Sequence, residues 1–364
     1  MLAKQDNVSL NSVHFNDFSR MLLSRSPAVV GIEAGFFVTI NLATLFGNVL
    51  LCAVLLKNFR RQSITSMLIL ALSLADILMG TVCMPLSCAV LIRGVWPYGN
   101  FACKLQCFSI YFLAFVSLQT IVLTSLNRYF RVVKPAKYTR IFTVKKTFAM
   151  LAAVWSGTAL ILAMPSLIGR TEAVFNPAKA ACVIFQKDSA AKHESYPAIL
   201  RAFLLLVFAV IPTTVTLVCY YKIFRVVGLH FSKVEPNLMP WPSASRNCRV
   251  NSGEIRITVT LFAVVVMFVL SWLPVFLIEI TQAFLLDWWK VPRQVQLLWT
   301  FFGSFSSAVN PLVYGFANSS YRKEYRQLLT LKWTRKKQDD SYIRTIDGTA
   351  SACITMATLN VPSN

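Results

Sequence analysis

The chain has 364 residues, 56% of them hydrophobic and 14% charged, with a mean hydropathy of +0.58. Soluble domains carry about a quarter charged residues, so an ordinary soluble enzyme or binding module is excluded. The net charge of +21 raises nucleic acid as a partner, but 24 of the 36 lysines and arginines fall in the tail and around the loops after alternate apolar runs. That placement suits a membrane face and argues against nucleic acid.

Residues 1–29 read as an outer N-terminal tail. Residues 1–20 lack the apolar stretch of a cleaved signal peptide, so the first span serves as the insertion signal. Asn7-Val8-Ser9 is a glycosylation triplet with Asn7 as acceptor. Seven apolar runs follow, at about 30–56, 64–92, 101–127, 147–168, 198–224, 255–285 and 295–316. Each is long enough for a helical span, and none alternates like a barrel strand of about 10 residues. Helix satisfies its backbone within the segment, as lipid requires. The expected fold class is therefore an all-α membrane protein, a seven-transmembrane helix bundle over 30–316. The lysine and arginine bias puts the N-terminus outside and the C-terminus in the cytoplasm.

Within the spans, the informative residues are those that lipid penalises. Asn48 lies on the first span and Asp76 near the middle of the second. A carboxylate at a helix centre costs about 2.5–3.5 kcal/mol on insertion scales and marks a functional site by default. Cys103 and Cys107 open the third span, and Cys182 lies in the loop after the fourth. A Cys103–Cys182 bridge would pin that loop over the bundle mouth in an oxidising compartment. Cys107 as the partner, or three free thiols, are the alternatives that spacing leaves open. Ser117 sits about 16 Å along its helix from Arg128, and Asp76 about 18 Å from the same end of its own. With Ser306 and Asn310 on the seventh span, these residues make either a buried site for a small cation or a structural hydrogen-bond network.

Cys103 to Arg128 is about 37 Å of helix, enough to cross a ~30 Å core. Arg128, between Asn127 and Tyr129, then meets the far face, where Glu254 at the start of the sixth span lies at similar depth. Pairing of the two would clamp the third and sixth spans. Pro85, Pro165, Pro212 and Pro274 lie within spans and Pro311 follows Asn310. Each removes a backbone hydrogen bond and permits a kink. Trp272, two residues before Pro274, places a large ring beside such a kink. In residues 317–330, Tyr321, Tyr325 and Leu328 share one face with Lys323 and Arg326 turned away, the pattern of a short amphipathic eighth helix on the cytoplasmic membrane face. Residues 331–364 read as a disordered cytoplasmic tail.

In order, the chain carries Gly47-Asn48, "SLAD" with Asp76, Cys103, "NRY" at 127–129, Trp155, Cys182, Pro212 with Tyr220, "SWLP" with Trp272 and Pro274, and "NPLVY" at 310–314. That set, covering nearly the whole chain, resembles the rhodopsin-like (class A) G-protein-coupled receptors. The resemblance implies a multi-pass plasma-membrane receptor with a heterotrimeric G protein and arrestin as partners. It implies a sodium pocket at Asp76, Ser117, Ser306 and Asn310, with sodium as an allosteric ion and no other cofactor. It implies an activation switch at Trp272 and Pro274, an ionic lock of Arg128 with Glu254, and inward-turning tyrosines at Tyr220 and Tyr314, with Asn127, Tyr129 and Pro311 beside them. Asn127 departs from the aspartate usual in the family, which removes a local ion pair from Arg128. The cysteine usual after the eighth helix is absent, or its lipid anchor is moved to Cys353.

For the ligand, the outer half of the third span has no acid. Ile110 stands where receptors resembling amine receptors carry an aspartate, and Ser304 where opsins attach retinal. The candidate pocket comprises Gln106, Ile110, Tyr111, Ala114, Leu204, Phe208, Val275, Phe276, Glu279, Gln296 and Thr300, mostly apolar with a few polar groups. "NRY" with "FNPAKAAC" resembles melatonin-receptor-like and related orphan receptors, although "NPLVY" departs from the melatonin receptors. That likeness implies a small, largely neutral, indole-type ligand. A short neuropeptide, read through a basic residue by Glu279 and Asp287, is the competing reading. His14, His193 and His230 form no set with a nucleophile or metal ligands, so an enzyme is not indicated. A membrane transporter usually shows internal repeats around a midplane site, and this chain shows none.

Overall fold

A computed structural model describes residues 15–57, 63–186, 203–232, 252–282 and 291–330. Asn7, Asp287, Cys353 and the side chain of Glu254 lie outside the described residues. The spans are Pro27–Lys57, Ile64–Arg93, Gly99–Val133, Val144–Leu167, Phe203–Gly228 and Ile255–Ile280, six helices long and apolar enough to cross a membrane, and the seventh span, Arg293–Ala317. At 25 residues the seventh is about 37 Å long. It is less apolar because Gln296, Thr300, Ser304, Ser307 and Asn310 on it are buried inside the bundle.

Local chemistry sets several helix ends. Ser63 and Thr143 cap the second and fourth spans by accepting from Ser66 N and Lys146 N. The third span runs past Arg128 to Val133 and stops just before Pro135, which opens the short helix Pro135–Ile141. The second and fifth spans each contain a π turn, at Met79–Cys83 and Leu206–Val210, beside Pro85 and Pro212. The eighth helix is Ser319–Leu329; Tyr321, Tyr325 and Leu328 are half-buried while Arg322, Lys323 and Arg326 are exposed.

Residues 15–23, counted above with the outer tail, form a helix instead. Its Phe18 and Leu22 are buried, and Leu22 joins the core with Phe37, Met84 and Leu91. Apolar side chains at 18 and 22 stand one turn apart, so they share the face that docks. The second span makes room for it: Gly94 is left-handed (φ 76°), and a Cβ there would meet Leu23 Cα at 3.2 Å.

The only described sheet is a hairpin between the fourth and fifth spans: β1 (Thr171–Asn176) pairs antiparallel with β2 (Ala181–Gln186). The register runs from Thr171 opposite Gln186 to Asn176 opposite Ala181.

The core falls into two main clusters. One, toward Cys103, is built on Phe37, Met84, Leu91 and Leu113; the other, toward Arg128, on Leu51, Leu72, Ile121, Tyr220, Leu261 and Tyr314. Asp76 lies between residues of the two, Leu72 and Met79.

Among the contacts between the first and seventh spans, the packing of Gly47 on Pro311 is tight. A Cβ on Gly47 would come within 2.6 Å of Pro311 Cγ, whereas one on Gly31 would meet nothing within 4 Å. Gly47→Ala should therefore lower the thermal midpoint of the detergent-solubilised protein, by the ~1–3 kcal/mol typical of overpacking. Gly31→Ala should leave it unchanged or raise it, by up to ~1 kcal/mol of helix propensity. Equal midpoints for the two variants would show that the proline ring yields.

Candidate functional site

Three polar regions lie along the bundle: a mouth at the Cys103 end, a centre at Asp76, and a basic end at Arg128.

The mouth is organised by one glutamine and one disulfide. Cys103 is bonded to Cys182, which ties β2 to the third span; Cys107 is a free, buried thiol. One turn below Cys103, Gln106 is fully buried. Its Nε2 donates to Cys83 O (3.1 Å) and Ser87 Oγ (3.0 Å), and its Oε1 accepts from Cys182 N (2.9 Å). Its amide thus joins the second span, the third span and the hairpin, a structural bracket at the mouth.

Held this way, the hairpin tip is pushed into the bundle. Ala178, Ala180 and Ala181 are fully buried and Lys179 is 4% exposed. Asn176 Oδ1 accepts from Ala178 N (2.9 Å) and Lys179 N (3.1 Å), the usual asparagine turn. Thr300 on the seventh span donates its hydroxyl to Lys179 O. Lys179 Nζ meets Glu279 Oε1 at 2.7 Å and lies 4.8 Å from the centre of the Trp299 ring. Beside the tip, Glu33 on the first span binds Arg293 through both oxygens (2.8 and 2.7 Å) and Arg25 (2.6 Å), which also donates to Leu22 O and Leu91 O. This triad ties residues 15–25 and the second span to the seventh.

Below the tip is a cavity bounded by Phe37, Met79, Ile110, Trp272, Val275 and Trp299. It leaves about 30 Å³ for the centres of water-sized molecules, where one water needs about 10–15 Å³ by that measure. Ile110, Val275 and Thr300 of the expected lining reach it. Leu204 and Phe208 do not, because the cavity lies toward the first, second and seventh spans; Phe208 instead stacks on Phe115 with ring centres 4.5 Å apart. Ala114 is buried in the core, Phe276 packs on Trp272, and Tyr111 contacts Trp299. Gln296 is buried and donates to Val291 O (2.9 Å). Lys179, Trp299, Arg25, Glu33 and Arg293 were missed in the sequence. Lys179 alone carried a signal, as a lone cation among small residues three positions before a bridged cysteine.

At the centre, Asn310 Nδ2 donates to Asp76 Oδ2 (2.8 Å), and Asp76 is 2% exposed. Ser307 is the other side chain placed beside the Asp76 carboxylate. Ser306, one residue and about 100° of helical rotation from Ser307, donates to Gly303 O (2.7 Å). Ser117 is buried but makes no hydrogen bond to Asp76 or Asn310 among the described residues. Pro311 cannot donate to Ser307 O, and Asn48 Nδ2 fills that vacancy at 3.0 Å. Gly47 and Asn48 therefore work as a pair, one admitting the proline ring and the other satisfying the carbonyl it strands. Trp272 lines the cavity above and packs into the cluster below; its indole N–H is buried with no acceptor among the described residues. Pro274 leaves the carbonyl of Leu270 without its helical donor.

At the basic end Arg128 is 1% exposed. Asn127 Oδ1 accepts from Thr65 Oγ1 (3.2 Å) and its Nδ2 donates to Tyr138 Oη (3.3 Å). The ring of Tyr129 lies 5.9 Å from Lys222 Nζ. Tyr220 and Tyr314 are buried, and Tyr314 contacts Tyr321 of the eighth helix. Burial pushes the Tyr321 hydroxyl up to about 12, with Arg128 acting in the opposite sense. Lys57 meets Glu324 at 3.3 Å, and Arg256 at the start of the sixth span donates to Ser319 Oγ (2.7 Å).

The family described as "7 transmembrane receptor (rhodopsin family)" matches residues 47–314. The chain is 24% identical to melatonin receptor type 1B-B of Danio rerio over 331 residues, 90% of each chain. It is 26% identical to octopamine receptor beta-1R of Drosophila melanogaster, covering 83% of this chain and 62% of that one. It is 24% identical to neuropeptide FF receptor 2 of Mus musculus, covering 87% and 76%.

The buried triad gives a test of how the mouth is held. Glu33→Gln leaves two buried arginines facing an uncharged amide, at a cost of about 3–5 kcal/mol, and should lower the thermal midpoint sharply. Glu324→Gln, which breaks a half-exposed pair, should cost at most about 1 kcal/mol. Comparable losses in the two variants would show that the triad is solvated.

Proposed function

Because this chain belongs to the rhodopsin family of seven-transmembrane receptors, we propose that it couples an extracellular small, largely neutral, indole-type ligand to activation of a heterotrimeric G protein. The observation that carries the coupling is Arg128, buried at the basic end behind tyrosines of the fifth span and the eighth helix. A cation sealed under a movable shell is suited to a partner helix whose C-terminal end favours positive charge. The Cys103 end faces outward, where a disulfide persists, and the Arg128 end faces the cytoplasm. Arrestin would meet the same end. Arg322, Lys323 and Arg326, exposed on the eighth helix, face anionic lipid headgroups.

Neutrality of the ligand is supported by the bookkeeping of charge at the mouth. Glu279 is matched by Lys179 and Glu33 by two arginines, so a ligand cation has no unmatched carboxylate among them to read. The space beneath is bounded by aromatic and aliphatic side chains, which suits an apolar ring. Such a ligand needs more room than the resting cavity gives, so binding must move the hairpin tip or Trp272.

The residues at the centre fit a sodium ion. Asn310 Oδ1 is buried with no donor among the described residues, beside the Asp76 carboxylate and near the Ser307 hydroxyl, an oxygen-only donor set suited to a hard cation. Asp76, Asn310 and Ser307 would hold it; Ser117 is the candidate on the third span. The ion would join the second and seventh spans and favour the closed form.

Activation is a shift between two populations, by as much as the ligand's preference for one of them. Purified receptor with added G protein should catalyse nucleotide exchange, and a ligand screen on that readout identifies the agonist. Transport without exchange in any condition would refute the receptor reading. Millimolar sodium should lower ligand-free exchange by about fivefold, the low end of allosteric couplings, and Asp76→Asn should abolish that effect. Exchange insensitive to sodium in the parent protein would reject the sodium site. Glu254→Ala should raise ligand-free exchange if that acid restrains Arg128, and an unchanged rate would count against the lock.

A further inference from the structure

Lysine on a loop normally keeps its ammonium in water, yet Lys179 sits at a hairpin tip with its side chain 5% exposed. Four independent restraints put it there. The disulfide fixes β2 three residues on, Gln106 accepts from Cys182 N, Asn176 ties the turn, and Thr300 holds the Lys179 carbonyl. The backbone is bent to suit: Ala180 is left-handed at φ 50°, a conformation alanine rarely adopts. What the ammonium reaches is a carboxylate at 2.7 Å and an indole face at 4.8 Å. An acid beside an aromatic face is how proteins bind organic ammonium groups.

We propose that Glu279 and Trp299 form a cation subsite at the mouth, and that Lys179 is its tethered occupant, a specificity residue that excludes cationic ligands by filling their place. A tethered group competes at a high effective concentration, millimolar or more for a short linker. A free amine would therefore have to displace a partner that never leaves. The third span offers no acid to compensate, since Ile110 lies beside the cavity instead. The receptor thus selects neutral ligands by satisfying its own acid, and a single substitution would open the subsite to amines.

This inference rests on reading the mouth as the ligand entrance, but its test needs no G protein and so stands or falls separately from the signalling function. The probe is n-propylammonium, the portion of the side chain that Lys179→Ala removes. At ten times its dissociation constant it should raise the thermal midpoint of purified Lys179→Ala receptor by about 3 °C. It should leave the parent protein and Lys179→Ala/Glu279→Gln unmoved, and n-propanol should leave all three unmoved. No shift in Lys179→Ala, or an equal shift in the parent, overturns the proposal. If Lys179→Ala is not recovered folded, the pair is tested by exchange. Lys179→Glu should lose stability that Lys179→Glu/Glu279→Lys regains, and failure of the double variant to recover overturns it equally.

Discussion

Lipid offers no hydrogen-bond partner, and that constraint arranges nearly every polar atom in this bundle. Each span must turn its polar groups inward and find them partners there. Behind Pro311 the stranded carbonyl of Ser307 finds its partner on a neighbouring helix, in Asn48. At the π turn of the second span, Gln106 of the third binds Cys83 O. At that of the fifth, Gln119 reaches Val207 O at 3.5 Å. Irregular backbone, normally a cost, becomes a set of specific ties between spans. Those ties fix which helix faces which, since non-directional apolar packing alone leaves rotation about each helix axis loosely specified.

The same constraint explains what the sequence discloses. A span is a local pattern, so its existence and approximate ends follow from composition, and the inward polar residues announce themselves by cost. Asp76 and Asn310 are legible for that reason, and they do meet. Azimuth is less legible: Ser306 and Ser307 are equally polar and adjacent, yet only Ser307 faces Asp76, because one residue is about 100° of rotation. Pro311 lies just beyond both serines on the same helix and removes a backbone hydrogen bond there, so counting residues does not fix that rotation.

Least legible are the features whose position depends on contacts far apart in the chain. The depth of Lys179 is set by Cys103, Gln106 and Thr300, none of them its neighbours in sequence. The cavity's displacement away from Leu204 and Phe208 follows from Phe208 stacking on Phe115 and from the tip entering above the seventh span. Residues 15–23 look like tail because a short amphipathic helix gains stability only from its docking site, here Gly94 and the Arg25–Glu33–Arg293 triad.

Those nonlocal contacts also connect the two ends of the molecule. The tip rests on Trp299 and Thr300, Trp299 shares a wall with Trp272, and Trp272 packs into the cluster that holds Tyr220 and Tyr314. A ligand that lifts the tip changes what Trp272 packs against, and the indole has no hydrogen bond among the described residues to resist a new rotamer. At the far end, Asn127 places an amide where the family usually has a carboxylate. It still bridges Thr65 and Tyr138, so the architecture of that corner survives, but it contributes no charge to Arg128. The described contacts that close that end include the buried tyrosine shell and the tie of Arg256 to Ser319. Under the proposed mechanism those contacts must rearrange as the population moves, by as much as the ligand's differential affinity for the two forms.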